Sequence, residues 1–201
     1  MPCWPTSPRT AAKARHACPP RQRPAPAEVR QLPQRIPVSS PTYNVLFVCT
    51  GNSARSILAE GLMNHLGQGK FKAFSAGSHP TGEVNPLALH TLAWLHLPTE
   101  GYRSKNWDEF AQPGSPALDF VFTVCDKAAG EVCPVWPGQP MTAHWGLPDP
   151  AAAVGTDAQK LQAFQETAVA LKRRIELMLS LPLTTLDKMS LQQAVRDIGQ
   201  A

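Results

Sequence analysis

The sequence predicts a three-layer α/β/α domain built on a four-stranded parallel sheet, and three observations carry that expectation. Val45-Leu46-Phe47-Val48 is an unbroken apolar run, as a strand buried on both faces requires. Asp119-Phe120-Val121-Phe122-Thr123-Val124 repeats the pattern later in the chain. Segments with helical apolar spacing separate and follow these runs, and alternating strands and helices place a parallel sheet between two helical layers.

Each element has its own local reason. Ile57, Leu58, Met63 and Leu66 space a helix over Ser56–Leu66, directly after the first strand. Lys70–Ser75 alternates as a second strand and is expected to stop at Ala76-Gly77. Asn85-Pro86 opens a helix running to about Leu95, with proline at the first-turn position that tolerates it. Asn106–Phe110 reads as a short helical turn, and Ala143-His144-Trp145 as a fourth short strand. Leu161, Phe164, Ala168, Leu171, Ile175 and Leu179 mark the longest helix, Asp157–Leu179. Asp187–Ile198 closes the chain as an amphipathic turn or two.

Composition divides the 201 residues in two. Residues 1–41 hold ten of the 21 prolines and seven Arg or Lys against one acid, so they read as a disordered Pro/Arg-rich extension. Residues 42–201 hold twelve basic against fourteen acidic side chains and form the catalytic domain. The net charge of +4 therefore belongs to the extension, and the body gives no footprint for nucleic acid. No apolar run of the length that spans a membrane is present, and no secretory leader is read. Five cysteines without an export signal point to a reducing, cytoplasmic setting in which thiols serve reactivity. Cys3 and Cys18 share the extension and are given no role.

The octet Cys49-Thr50-Gly51-Asn52-Ser53-Ala54-Arg55-Ser56 carries the chemistry. A loop of this length between strand and helix turns backbone N–H groups and a helix N-terminus toward an oxyanion. Thr50, Gly51, Asn52, Ser53, Ala54, Arg55 and Ser56 are the expected anion-binding residues, and Arg55 closes the cradle with a bidentate fork. Cys49 on the floor is expected to have a lowered pKa and to stand as thiolate near neutrality. Attack on phosphorus or arsenic follows. Two further thiols, Cys125 and Cys133, flank an Ala/Gly-containing segment at a spacing too long for the common zinc pairs. Cys125 follows a strand, as Cys49 does, so both belong at the carboxyl edge of the sheet where ligands sit in such folds.

Cys-x5-Arg-Ser with an internal Gly-Asn resembles the signature loop of the low-molecular-weight protein tyrosine phosphatases and of the arsenate reductases that share their fold, over about residues 43–180. The resemblance implies a relay. Cys49 attacks arsenate, Cys125 attacks Cys49 and releases arsenite, and Cys133 attacks Cys125 to present a disulfide for reduction by thioredoxin, or by glutathione with glutaredoxin. The Cys125–Cys133 spacing is one residue longer than in the best-known thioredoxin-coupled members. His144-Trp145-Gly146-Leu147-Pro148-Asp149-Pro150 resembles the late Asp-Pro segment of the superfamily, which makes Asp149 the general acid.

Where the phosphatases follow Asp-Pro with aromatic residues, this chain has Ala151-Ala152-Ala153, and Ala54 stands where they carry a second loop cysteine. Both departures lean toward a small inorganic oxyanion, with weak phosphatase activity as a side reaction. A phosphatase with incidental cysteines, and a redox or oxyanion sensor, are the alternatives. Asn52 and Ser53 are expected to hold the loop, and Ser56 to donate to the Cys49 thiolate. The resemblance also implies a potassium ion near Asn52, Glu60, Ser75 and Asp108, with no other metal and no tightly bound cofactor. Trp94, Trp107, Trp136 and Trp145 read as packing, and no histidine receives a role. A monomer that meets neither nucleic acid nor membrane is expected.

Overall fold

The computed structural model describes residues 41–131 and 134–201. The predicted extension falls outside them except for Pro41, and so do Cys3, Cys18 and Cys133. Four parallel strands, β1 (Tyr43–Cys49), β2 (Phe71–Gly77), β3 (Phe120–Thr123) and β4 (Met141–His144), form one sheet in the order β2-β1-β3-β4. Five helices accompany it: α1 (Arg55–Leu66), α2 (Pro86–Trp94), α3 (Asp126–Ala129), α4 (Asp157–Leu179) and α5 (Lys188–Ile198). The architecture is the three-layer α/β/α arrangement that the alternating pattern predicts.

The central strand β1 buries Val45, Leu46, Phe47 and Val48 completely, as the unbroken apolar run demands. α1, α2 and α4 pack together, with Leu58, Leu92, Phe164, Leu171 and Ile175 in the core. Local caps set the helix starts. The Asn85 side chain accepts the Leu87 N–H, and Thr156 and Gln159 form a reciprocal capping box. Asp187 accepts from Met189 and Ser190 at the start of α5.

Two boundaries differ from the sequence reading. β2 continues through Ala76-Gly77 because β1 runs on to Cys49 and supplies a partner there, Cys49 against Gly77. β4 spans Met141–His144 because its register pairs Met141 with Phe120 and His144 with Thr123. Trp145 leaves the strand and lies fully buried, stacked on Phe122 at 4.2 Å. Its indole N–H donates to the Val195 carbonyl of α5 at 2.9 Å. Among the described residues no helix is long and apolar enough to cross a membrane.

Candidate active site

Residues 50–54 link the end of β1 to α1 at the carboxyl edge of the sheet. The carbonyls of Cys49, Thr50, Gly51 and Ser53 accept the N–H groups of Ser78, His79, Thr81 and Asn85, all in the connection after β2. With these carbonyls tied outward, trans peptide geometry aims the intervening N–H groups the other way. The Asn52 N–H accordingly donates to Cys49 Sγ at 3.1 Å. Asn52 takes φ +43°, a left-handed conformation that Asn adopts more readily than most residues. Its fully buried amide donates through Nδ2 to Ser56 Oγ at 2.9 Å and accepts the Lys105 N–H at 2.8 Å. Gly77 makes the close approach possible, since a Cβ there would collide with the Thr50 carbonyl and the Asn52 backbone.

A cavity of about 600 Å³ opens over this loop and brings together Cys49, Thr50, Gly51, Ser53, Ala54, Arg55, Cys125 and Asp149. Among the described residues no Tyr, Trp or Phe lines it. Arg55 is the first residue of α1, and its guanidinium reaches across the cavity mouth. It donates to the Leu147 carbonyl at 2.9 Å and pairs with Asp149 at 3.1 Å. Asp149 is half-exposed and caps the turn that follows it, accepting from the Ala151 N–H. Cys125 is the N-cap of α3: its buried Sγ accepts the Ala128 N–H at 3.4 Å and stands 3.5 Å from Thr50 Oγ1.

The thiol's ionisation departs from the sequence expectation. Cys49 is 3 % exposed, and burial pushes its thiol up from the ordinary value, with the neighbouring Cys125 adding to the rise. The Ser56 hydroxyl, 2.9 Å from Sγ, and the Asn52 N–H pull the other way, because both stabilise a thiolate. Arg55, the charge expected to lower the thiol, is engaged by Asp149. In this arrangement the nucleophile rests as a thiol.

Most of the residues singled out in the sequence are therefore gathered in one place: Cys49, the loop 50–56, Cys125 and Asp149. Ser53 contributes its backbone carbonyl, and Asn52 and Ser56 their side chains. Cys133 lies outside the described residues. Of the four residues expected around potassium, Asp108 is exposed, whereas Ser75 Oγ donates to Glu60 Oε2 at 2.5 Å and Asn52 lies one Lys105 peptide away. Among the described residues no group of three or more His, Cys, Asp or Glu side chains is placed to hold a metal ion.

Three supporting residues escaped the sequence reading. Lys105 brings an ammonium to 3.8 Å from Glu60. His144 bridges Thr123 Oγ1 and Asp126 Oδ1, each at 2.9 Å, tying β4 to the first turn of α3. Arg174 of α4 donates to the carbonyls of Trp145 and Gly146, just ahead of Asp149. Each acts on partners at least 18 residues away, so no local pattern signals it.

Comparison with known proteins agrees with this geometry. Residues 44–192 match the low molecular weight phosphotyrosine protein phosphatase family. An arsenate reductase from Halalkalibacterium halodurans is 36 % identical over 133 residues, covering 66 % of this chain and 91 % of its own. An arsenate reductase solved in the phosphate binding state superposes with a TM-score of 0.56 at 29 % identity, covering 69 % of this chain and 97 % of its own. A structure of an arsenate reductase in the oxidized state gives 0.56 at 27 % identity, over 68 % of this chain and 96 % of that one.

Proposed function

This chain belongs to the low molecular weight phosphotyrosine protein phosphatase family, and within it we propose that the protein is an arsenate reductase that works through a Cys49, Cys125 and Cys133 thiol relay. The observation that carries the reading is a second thiol in the oxyanion cavity. Cys125 lines the same space as Cys49 and touches Thr50 of the loop, where a phosphatase needs only one sulfur.

In the first step arsenate displaces Asp149 from Arg55 and the Cys49 thiol gives up its proton to the freed carboxylate. The resulting thiolate attacks arsenic, an S–As bond forms, and an As–O bond breaks as that proton leaves with the oxygen as water. Cys125 then attacks Cys49 Sγ. The S–S bond forms as the S–As pair of electrons passes to arsenic, so As(V) becomes As(III) and arsenite departs. Cys133 next attacks Cys125, restoring the Cys49 thiolate and leaving a Cys125–Cys133 disulfide. An external dithiol reduces that bond with two electrons. Thioredoxin is the favoured donor, with glutathione and glutaredoxin second, and the cytoplasm is the compartment that holds both.

α3 suits its part in this scheme. It is a single turn of four residues followed by Gly130, capped by the very sulfur that must leave it. Moving Cys125 toward a partner removes that cap, so the attack and the unwinding of the segment are one event. The absence of an aromatic wall among the described lining residues favours a bare oxyanion over an aryl ester. A second reading, weak phosphatase activity, rests on the Asp149 carboxyl beside Arg55, the acid an ester leaving group requires.

The test is arsenite production from arsenate with thioredoxin, thioredoxin reductase and NADPH, and separately with glutathione and glutaredoxin. Turnover with either donor is expected. C49S and C125S should abolish it, whereas C133S should still release one equivalent of arsenite before stopping. Steady aryl phosphate hydrolysis with no arsenite under both donors would overturn the reductase and leave a phosphatase.

A further inference from the structure

Glu60 sits in α1 with its side chain only 14 % exposed, and among the described residues the ammonium that pairs with it is that of Lys105, itself 9 % exposed. The two are 3.8 Å apart, and the same carboxylate oxygen accepts the Ser75 hydroxyl of β2. Lys105 is also fastened through its backbone. Its N–H donates to Asn52 Oδ1 at 2.8 Å, and its carbonyl accepts the Gly77 N–H at 2.9 Å. Asn52 in turn holds Ser56, the hydroxyl that touches Cys49. One residue thus joins α1, the end of β2 and the oxyanion loop.

A carboxylate at this depth requires a counter-charge within a few ångströms. Burial pushes Glu60 up and Lys105 down, and each opposes the other's shift. The neighbouring Arg103 is committed to Glu109 at the surface. The site does not fit a resident potassium ion: the Lys105 ammonium already stands against the Glu60 carboxylate that would ligate it, and Asp108 faces solvent.

We propose that Lys105 is a built-in cation: its ammonium neutralises Glu60 behind the oxyanion loop, fills the place a free monovalent cation would take, and makes the loop's anion binding independent of potassium. Lys105 is a positioning residue. It acts through Asn52 and Ser56 and does not touch the anion.

The experiment uses the full-length protein and inorganic phosphate as probe, in potassium chloride and in choline chloride at matched ionic strength. Because phosphate binding and thermal melting are read without turnover, failure here is separate from failure of the reductase reading. The wild type should show one phosphate Kd and one Tm in both salts. K105A should bind phosphate at least fivefold more weakly in choline, with potassium or methylammonium restoring affinity saturably, and K105R should resemble the wild type. A wild type whose phosphate affinity rises saturably with potassium overturns the proposal. So does a K105A loss that no cation repairs, which would make Lys105 a packing residue. Should K105A not fold, E60Q/K105M removes both charges together. That pair should melt cooperatively with no potassium response, and a response would overturn the assignment.

Discussion

Cys49 shows what a single residue's surroundings decide. The strand end, the loop and the helix start were legible in the octet because each depends on neighbours in sequence. The Ser56 contact was legible for the same reason, since the first turn of α1 carries it back over the loop. The thiol's ionisation was not, because it depends on how completely the folded chain covers the sulfur and on where Arg55 points. A thiol raised by burial reacts in proportion to the small thiolate fraction. Alkylation of Cys49 in the anion-free protein should therefore keep accelerating as pH rises through 9.0, the ordinary thiol value, without an earlier plateau. S56A removes a hydroxyl that favours the thiolate, so the rate at pH 8 should fall by roughly an order of magnitude, the worth of a hydrogen bond to a charged sulfur. Mass spectrometry of iodoacetamide-labelled Cys49 reads both. A plateau near neutrality would contradict the burial argument.

Among elements, the end of β2 is as much part of the site as the loop itself. Gly77 reads in the sequence as a strand terminator, yet it pairs with Cys49 and lies where the loop backbone passes closest. That role was hidden because it depends on the register between two strands and not on any local signal. G77A should drive the Thr50 carbonyl and Asn52 out of place and weaken phosphate binding at least tenfold, about 1.4 kcal/mol, in a calorimetric titration. Unchanged affinity would mean the loop yields without losing its shape. The short α3 stands at the opposite limit of legibility. The sequence shows there only an Ala/Gly-containing segment, Ala128-Ala129-Gly130, and the described segment is one helical turn held by the Cys125 cap and by His144 on Asp126.

Across the molecule, the second half of the chain serves to hold Asp149 over the loop. Arg174 of α4 is 7 % exposed and donates to two consecutive carbonyls, Trp145 at 2.8 Å and Gly146 at 3.1 Å. Trp145 is pinned again by Val195 of α5. Helical periodicity revealed that α4 and α5 exist, but a lone arginine on a helix looks the same whether it is solvated or buried, so its partners were invisible. R174M should leave both carbonyls short of a donor and cost about 2–4 kcal/mol, lowering Tm by roughly 5–12 °C. Aryl phosphate hydrolysis, the side activity proposed above, should fall with it, because the segment bearing Asp149 loosens. R174K should recover part of both. Differential scanning calorimetry beside an aryl phosphate assay reads the pair, and a Tm within a degree of the wild type would remove Arg174 from the frame.

The Arg55–Asp149 pair gives the cavity a tethered competitor. An incoming anion must win the guanidinium from a carboxylate that is always present at high local concentration. A weakly basic monoanion such as chloride offers too little in exchange, while a tetrahedral dianion can take the fork and the loop's N–H groups together. The resting ion pair thereby sets a threshold of charge and geometry that an anion must exceed before it can enter the cavity.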